Sequence, residues 1–364
     1  MAEGNFISVP DRVRAQAVAH PQRLALRDEA ATLTHAQLAQ AMALAAARFA
    51  RAGVRSGDVV AICAFNSVGY VVACLAAAGM GAVVAPLPQS ATADSLARMI
   101  ADCDAKLVLV DDDTREVVAG DAVRAVVRDL ADIASTVPAA HETTAFDWPA
   151  IDPAQPFNII YSSGTTGTPK GIVQSHAMRE THVRLGEASG YRTGGVTLLS
   201  TPLYSNTTLI SLLPTLALGG TAVLMRKFSA DGFLALAQQH RATHAMLVPI
   251  QYQRLMAHAG FDAFDLSAFE EKFCTSAPFP AELKRDVLAR WPGGLTEYYG
   301  MTEGGGLCVL QAHLHPDKLH TVGRPAPDTD MRIIDEDGAE LPPGGVGEIV
   351  GRSGIVMSGY HNRP

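Results

Sequence analysis

A chain of 364 residues and 38.4 kDa is longer than one hydrophobic core normally serves, so two or three domains or subdomains are expected. Hydrophobic residues make up 48 % and charged residues 18 %, which fits a globular protein; a formal net charge of −8, with no dense Lys/Arg run, excludes a general nucleic-acid binder. The five cysteines (Cys63, Cys74, Cys103, Cys274 and Cys308) are scattered and never in C-x-x-C spacing, which suits reduced thiols in a cytoplasmic protein rather than a disulfide framework or a zinc site.

The N-terminal MAEGNFISVPDR lacks the basic and apolar regions of a signal peptide. Thr34-x-x-Gln37 resembles a capping box, and the Ala/Leu-rich helix it opens stops at Gly53. A strand follows from Val59 to Phe65, then a helix beginning after Asn66 and a second strand from Ala82 to Leu87. From Asp94 onward, Leu96, Met99, Ile100 and Cys103 recur at helical spacing, and Lys106 to Val110 returns as a strand. Asn158 to Ser162 and Gly171 to Gln174 read as strands on either side of a polar loop. Val196 to Ser200, Gly220 to Met225 and His244 to Pro249 are further strands with helices between them, and an amphipathic helix from Ala281 to Trp291 leads into LTEYYG. Near-continuous apolar strands alternating with helices imply an α/β fold of mainly parallel sheets covered on both faces. Beyond Thr321 the texture changes. Asp337-Gly338 stands at a hairpin turn in MRIIDEDGAEL, and VGEIVGRSG is another short β segment, so a small C-terminal β subdomain is expected. The expected organisation is an N-terminal α/β subdomain over 1–160, a second over 161–320 that opens on the polar loop, and the start of a β-barrel-like subdomain over 321–364.

Two stretches, Val59 to Ala93 and Val196 to Met225, carry no charged residue and are longer than the roughly 20 residues that span a bilayer. Each is broken by polar and turn residues and splits into strand, helix and strand, so no membrane span is expected. His313 and His315 are the nearest approach to a metal pair, but no Cys or carboxylate cluster surrounds them.

The polar loop reads YSSGTTGTPKG from Tyr161 to Gly171. Glycines let backbone N–H groups approach an anion, the hydroxyls add donors, and a lysine adds mobile positive charge, which together suit phosphate. A Walker A loop is excluded. That motif opens a helix, whereas this loop joins two strands; Lys170 follows Pro169 rather than Gly, and Gly171 takes the Ser/Thr position.

This loop resembles the signature of the adenylate-forming superfamily, which contains acyl- and aryl-CoA synthetases, adenylation domains of nonribosomal peptide synthetases, and luciferases. Other motifs follow in family order: PLYSNTTL (Pro202 to Leu209) at the acid pocket, TSAP (Thr275 to Pro278) at the adenine-side loop, YYGMTE (Tyr298 to Glu303), and VGEIVGRSGIVMSGY (Val346 to Tyr360). The resemblance implies activation of a small-molecule carboxylic acid by ATP to an acyl-adenylate, then transfer to CoA with release of AMP. It places Ser162, Ser163, Thr165, Thr166 and Lys170 around the β- and γ-phosphates, with Gly164 and Gly167 letting the backbone close on them. Thr302 would touch the α-phosphate, and Glu303 would help hold Mg²⁺. Tyr299 would stack on adenine, with Ser276, Ala277 and Pro278 along its edge and Tyr298, Gly300 and Met301 completing the nucleotide-binding string. The acid would meet Tyr204, Ser205, Asn206, Gln251, Thr275, Tyr298 and Gly304. His176 would contact CoA or substrate, or cap the helix that follows. Homodimers are frequent among relatives, though no interface signal is visible in this sequence.

The sequence departs from the family pattern in several places. Ser205 replaces a histidine common in the acid-pocket motif, and Thr208 stands where relatives carry glycine. Tyr298 takes a place often held by glycine; a ring directed into the pocket favours a compact aromatic, alicyclic or short-to-medium acid over a long fatty acid, whereas the opposite strand register turns it away. The Tyr-x-Thr-Gly-Asp motif and the small C-terminal lid domain with its lysine do not occur within the 364 residues. The chain is therefore expected to be the large N-terminal region of a synthetase and to turn over poorly by itself. Two alternatives remain: an adenylation enzyme loading a carrier protein, and a degenerate synthetase acting as a binding protein.

Overall fold

The computed structural model describes residues 6–118, 123, 125–135, 145–162 and 169–363. They fall into two compact units, one running to Phe228 and including Ser358 onward, the other Ser229–Met357. These boundaries differ from the segments expected at residues 160 and 320: the strand Lys170–Ser175 pairs with Pro156–Ser162, and Thr221–Leu224 pairs with Leu24–Arg27, so the first unit continues to Phe228.

In the first unit α1 (Val9–Ala19) is capped by Ser8, whose side chain accepts from the Asp11 N–H. The short strands β1 (Leu24–Arg27) and β2 (Thr32–Thr34) lead into α2 (His35–Arg51). The capping box read from Thr34 and Gln37 is made in both directions, since each side chain accepts from the other's backbone N–H. Then come β3 (Val59–Cys63), α3 (Val68–Gly79), β4 (Val83–Pro86), α4 (Ala93–Asp102), β5 (Ala105–Val110), α5 (Arg115–Val118), β6 (Val126–Asp129) and α6 (Leu130–Ala134). Every residue of β3 and β4 is buried, as befits parallel strands covered on both faces. β7 (Pro156–Ser162) and β8 (Lys170–Ser175) precede α7 (His176–Ala188), β9 (Val196–Leu199), α8 (Asn206–Ala217) and β10 (Thr221–Leu224). The strands β6-β5-β3-β4-β7 run parallel, and β8 pairs antiparallel to β7. β9, β10 and β1 form a second parallel set, with β2 antiparallel at its edge.

In the second unit α9 (Ala230–His240), β11 (His244–Leu247), α10 (Pro249–Met256), β12 (Glu271–Cys274), α11 (Ala281–Arg290) and β13 (Gly294–Gly300) follow one another. β11, β12 and β13 are parallel neighbours; β14 (Leu307–Gln311) turns back antiparallel to β13, and β15 (Arg324–Pro325) pairs with β14. Trp291 is the centre of this unit's aromatic core, with the rings of Phe269, Phe261, Phe233 and Tyr252 at 4.9, 5.7, 5.8 and 5.9 Å. The expected C-terminal β segment is a two-stranded ribbon, β16 (Asp330–Ile334) against β17 (Glu348–Arg352), too small to enclose a core of its own. The Asp337-Gly338 turn is present, with Gly338 at φ +81° and the Asp335 carboxylate accepting from the Asp337 and Ala339 N–H groups. The last strand, β18 (Gly359–Tyr360), belongs to the first unit and pairs antiparallel with β8.

No helix among the described residues is long and apolar enough to cross a membrane. The uncharged stretches are core elements, as their interruptions implied.

Candidate functional site

The hairpin of β7 and β8 presents the phosphate-type loop. Ser162 and Lys170 are cross-strand partners at its mouth, and both are half-buried. Ser163, Gly164, Thr165, Thr166 and Gly167 lie outside the described residues. Contacts on both edges fix the hairpin from outside. The Tyr161 hydroxyl meets Asp102 Oδ2 at 2.8 Å and the Met99 carbonyl at 3.1 Å, tying β7 to α4. On the other edge the His361 N–H donates to the Gly171 carbonyl at 2.7 Å, and the Lys170 ammonium sits 5.3 Å from the centre of the Tyr360 ring. Gly171 is required by this closure: a Cβ there would stand 2.8 Å from Ile159 Cγ2 and 3.3 Å from His361 Cβ.

Of the expected acid-pocket residues, Tyr204 and Ser205 sit between β9 and α8 and Asn206 opens α8, beyond the carboxyl end of a parallel strand, where open α/β sheets place ligands. Ser205 is the cap of α8 and accepts from the Thr207 N–H at 3.3 Å. Thr208 is fully buried, and its hydroxyl is used internally, donating to the Pro202 carbonyl at 2.6 Å and lying 2.7 Å from Thr201 Oγ1. This segment is pinned from below by Asn66, whose Oδ1 accepts from Leu203 N–H at 2.8 Å. The Asn66 amide donates to the carbonyls of Thr201 and Met225 at 2.9 and 3.0 Å.

A second buried polar chain joins the hairpin to α8. Asn158 on β7 donates to Gln174 Oε1 on β8 at 3.1 Å and accepts from Arg179 Nε on α7 at 2.8 Å; Arg179 Nη1 donates to Asn206 Oδ1 at 2.9 Å. Arg179 is fully buried, and burial lowers its pKa to about 9. In sequence Asn66 marked only a helix start, and Asn158 and Arg179 were not singled out; a polar residue held in the interior by distant partners looks like any surface polar residue in a sequence. His176 does not cap α7. Ser175 does, accepting from Met178 N–H, while His176 is buried at the first turn with its ring 5.0 Å from Phe157.

In the second unit the remaining site residues gather along one sheet edge. Gln251 and Thr275 to Pro278 follow the carboxyl ends of β11 and β12, and Tyr298 to Gly304 form the carboxyl end of β13 and the turn after it. Ser276, Ala277 and Pro278 are exposed, and Ser276 adopts φ +79°, a left-handed conformation that costs a non-glycine residue about 1–2 kcal/mol. Tyr298 and Tyr299 project to opposite faces of β13. Tyr298 stacks on Phe273 at 5.7 Å with rings nearly parallel, whereas Tyr299 and Met301 remain exposed. Gln251 is buried and its carbonyl accepts from the Val248 N–H, so it caps α10. Beneath β13 the fully buried Lys284 pairs with Glu297 and donates to the Leu319 and Thr321 carbonyls at 2.9 and 3.0 Å, fixing the strand that carries the tyrosines.

Thr302 and Glu303 are half-buried and Gly304 is buried; the Glu303 carbonyl accepts from the Met357 N–H at 2.8 Å. Among the described residues no group of three His, Cys, Asp or Glu side chains is placed to hold a metal. Thr302 and Glu303 offer oxygen donors only, which fits a hard cation that takes its other oxygens from water or phosphate. His313 accepts from the Leu295 N–H through Nδ1 at 3.0 Å, a structural role.

The AMP-binding enzyme family model matches residues 13–361. The chain belongs to the AMP-binding enzyme family. It is 33 % identical over 352 residues to a feruloyl-CoA synthase of Amycolatopsis sp, covering 94 % of this chain and 70 % of that protein. Against an indoleacetate–CoA ligase of Aromatoleum aromaticum identity is 30 % over 364 residues, covering 94 % and 69 %. The inhibitor-bound N-terminal domain of FACL13 from Mycobacterium tuberculosis superposes with a TM-score of 0.87 at 26 % identity, covering 99 % of this chain and 92 % of that domain. As a member of this adenylate-forming, CoA-ligase family the chain is an enzyme of the AMP-forming acid–thiol ligase class.

Proposed function

We propose that the enzyme activates a compact aromatic carboxylic acid with ATP and Mg²⁺ and transfers the acyl group to CoA. The relatives' names, a feruloyl-CoA synthase and an indoleacetate–CoA ligase, support an aryl acid. In the first half-reaction a carboxylate oxygen attacks the α-phosphorus and the bond to pyrophosphate breaks. In the second a thiol takes the acyl carbon and AMP leaves. A carboxylate is already a nucleophile, so the protein's task is to bring two anions together and stabilise the charge that moves onto pyrophosphate. In this reading Ser162 and Lys170, with Ser163, Gly164, Thr165, Thr166 and Gly167, hold the β- and γ-phosphates, and Thr302 holds the α-phosphate. Glu303 holds the cation, which when bound neutralises phosphate charge. Tyr299 takes one face of adenine and Ser276, Ala277 and Pro278 its edge. Tyr204, Asn206, Thr275 and Gly304 meet the acid.

The observation that carries this reading is the order on the second unit's sheet edge: the two nucleotide motifs leave adjacent parallel strands at the same end, with Tyr299 exposed and Ser276 in a left-handed turn. Tyr298 bears on acid size through its stacking on Phe273, which gives the ring a fixed place. The test is calorimetric titration with aryl-sulfamoyl-adenosines, followed by AMP release from ATP, acid and CoA. Binding that is lost in Tyr299→Ala, with AMP release requiring CoA, is expected. AMP release that needs a carrier protein and ignores CoA would reject the acceptor, and absence of binding by any aryl analogue would reject the acid class.

A further inference from the structure

The side-chain amide of Asn206 is oriented by its partner. A guanidinium carries donors and no acceptor, so the Asn206 atom that Arg179 Nη1 meets at 2.9 Å is the carbonyl oxygen. The same logic runs along the chain: Arg179 Nε takes Asn158 Oδ1, which leaves the Asn158 amide to donate to Gln174. Arg179 is fully buried, flanked by Phe157 at 5.9 Å, and its neighbour Glu180 is engaged by Arg12 and Arg184 instead. The guanidinium therefore has no freedom to release Asn206 and turn elsewhere at low cost. With Oδ1 held, the NH₂ group is the end of the Asn206 amide that the buried cluster does not use. Asn206 is half-buried, and its Nδ2 has no hydrogen-bond partner among the described residues.

We propose that Asn206 donates a hydrogen bond to an oxygen on the carbon skeleton of the acid substrate, and that Arg179 is the positioning residue that locks the amide in its donor orientation. The inference rests on the reading of Pro202 to Leu209 as the acid-pocket motif. The substrate class it selects is an aryl acid bearing a hydroxyl, alkoxy or carbonyl oxygen, in preference to the same skeleton without one. A site built to bond a substrate oxygen discriminates strongly against the analogue lacking it, because the protein donor is then left unpaired. Asn206 is only half-buried, so the discrimination is smaller here, about 10- to 100-fold.

The test uses cinnamoyl-sulfamoyl-adenosine and its analogues with a hydroxyl or methoxy group at each ring position, titrated into the whole chain. At least one oxygenated analogue is expected to bind about 10-fold or more tighter than the plain one. In Asn206→Leu that ratio falls to about one, chiefly through the oxygenated analogue; Arg179→Met produces the same collapse, and the double variant adds nothing further. Asn206→Leu, at a half-buried position, keeps the test valid should Arg179→Met fail to fold. A purely structural role would weaken both analogues equally and leave their ratio intact, which overturns the proposal. So does the absence of any preference in the unaltered protein. If not even sulfamoyl-adenosines with other acyl groups bind, the adenylate site itself is misassigned and the inference falls with it.

Discussion

Three buried histidines in the first unit make its stability depend on pH above the range where carboxylates titrate. His35, His176 and His182 are nearly or fully inaccessible, and burial lowers their pKa values to about 4, about 4 and about 3. The unfolded chain binds these protons near 6.5, so between that value and the folded pKa the unfolded state carries more protons and stability falls as pH falls. From pH 7 to pH 5 each histidine withdraws about 2 kcal/mol, and the three together about 6 kcal/mol. Domains have about 5–15 kcal/mol in total, so at pH 5 the first unit should have lost a large share of its stability. The assay is urea unfolding monitored at half-unit pH steps, since slope against pH counts protons whatever the absolute stability. His182→Leu should remove about one third of the slope and His176→Phe a similar share. A stability that stays flat from pH 7 to 5, or a slope that survives replacement of all three, refutes the reasoning.

Lys284→Met strands the Glu297 carboxylate in the core and should cost about 3–5 kcal/mol in unfolding free energy, most of it recovered when Glu297→Leu is added; additive losses would show that the two are not a pair. Ser276→Gly should raise stability by about 1 kcal/mol by removing the left-handed strain at φ +79°, read as a shift of the urea midpoint. Tyr360→Leu should weaken binding of a non-hydrolysable ATP analogue by about two- to fivefold, the equivalent of losing one partly exposed cation–π contact with Lys170, while Tyr360→Phe should not.

Much of the scaffold was legible because its signals are local. The Thr34–Gln37 box, the all-apolar β3 and β4, and the strand–loop–strand frame around YSSGTTGTPKG each depend on neighbours in sequence, and the structure has all three. β12 was not legible because its four residues include Glu271 and Lys272, and Lys272 is buried only by giving its ammonium to the carbonyls of Pro292 and Gly293. The short β1 and β2 offer three or four residues, too few for a period to show. The register of β13 was likewise left open by the sequence; the stacking of Tyr298 on Phe273 assigns its face, which requires knowing that β12 lies alongside.

The candidate site divides along the same line. Its loops are legible by composition, because a ligand-facing loop must carry glycines, hydroxyls and charge whatever lies behind it. What lies behind is different: Asn66 reaches residues 135 and 159 positions away, and Arg179 reaches Asn158 and Asn206 from a helix between them. Burying these groups costs free energy unless their hydrogen bonds are made, so their value is conditional on the fold already being in place. Such residues set how the legible loops are held. Reaction class is therefore written in the exposed motifs, while the contacts that hold those motifs in place are interior polar bonds that only the tertiary structure brings together.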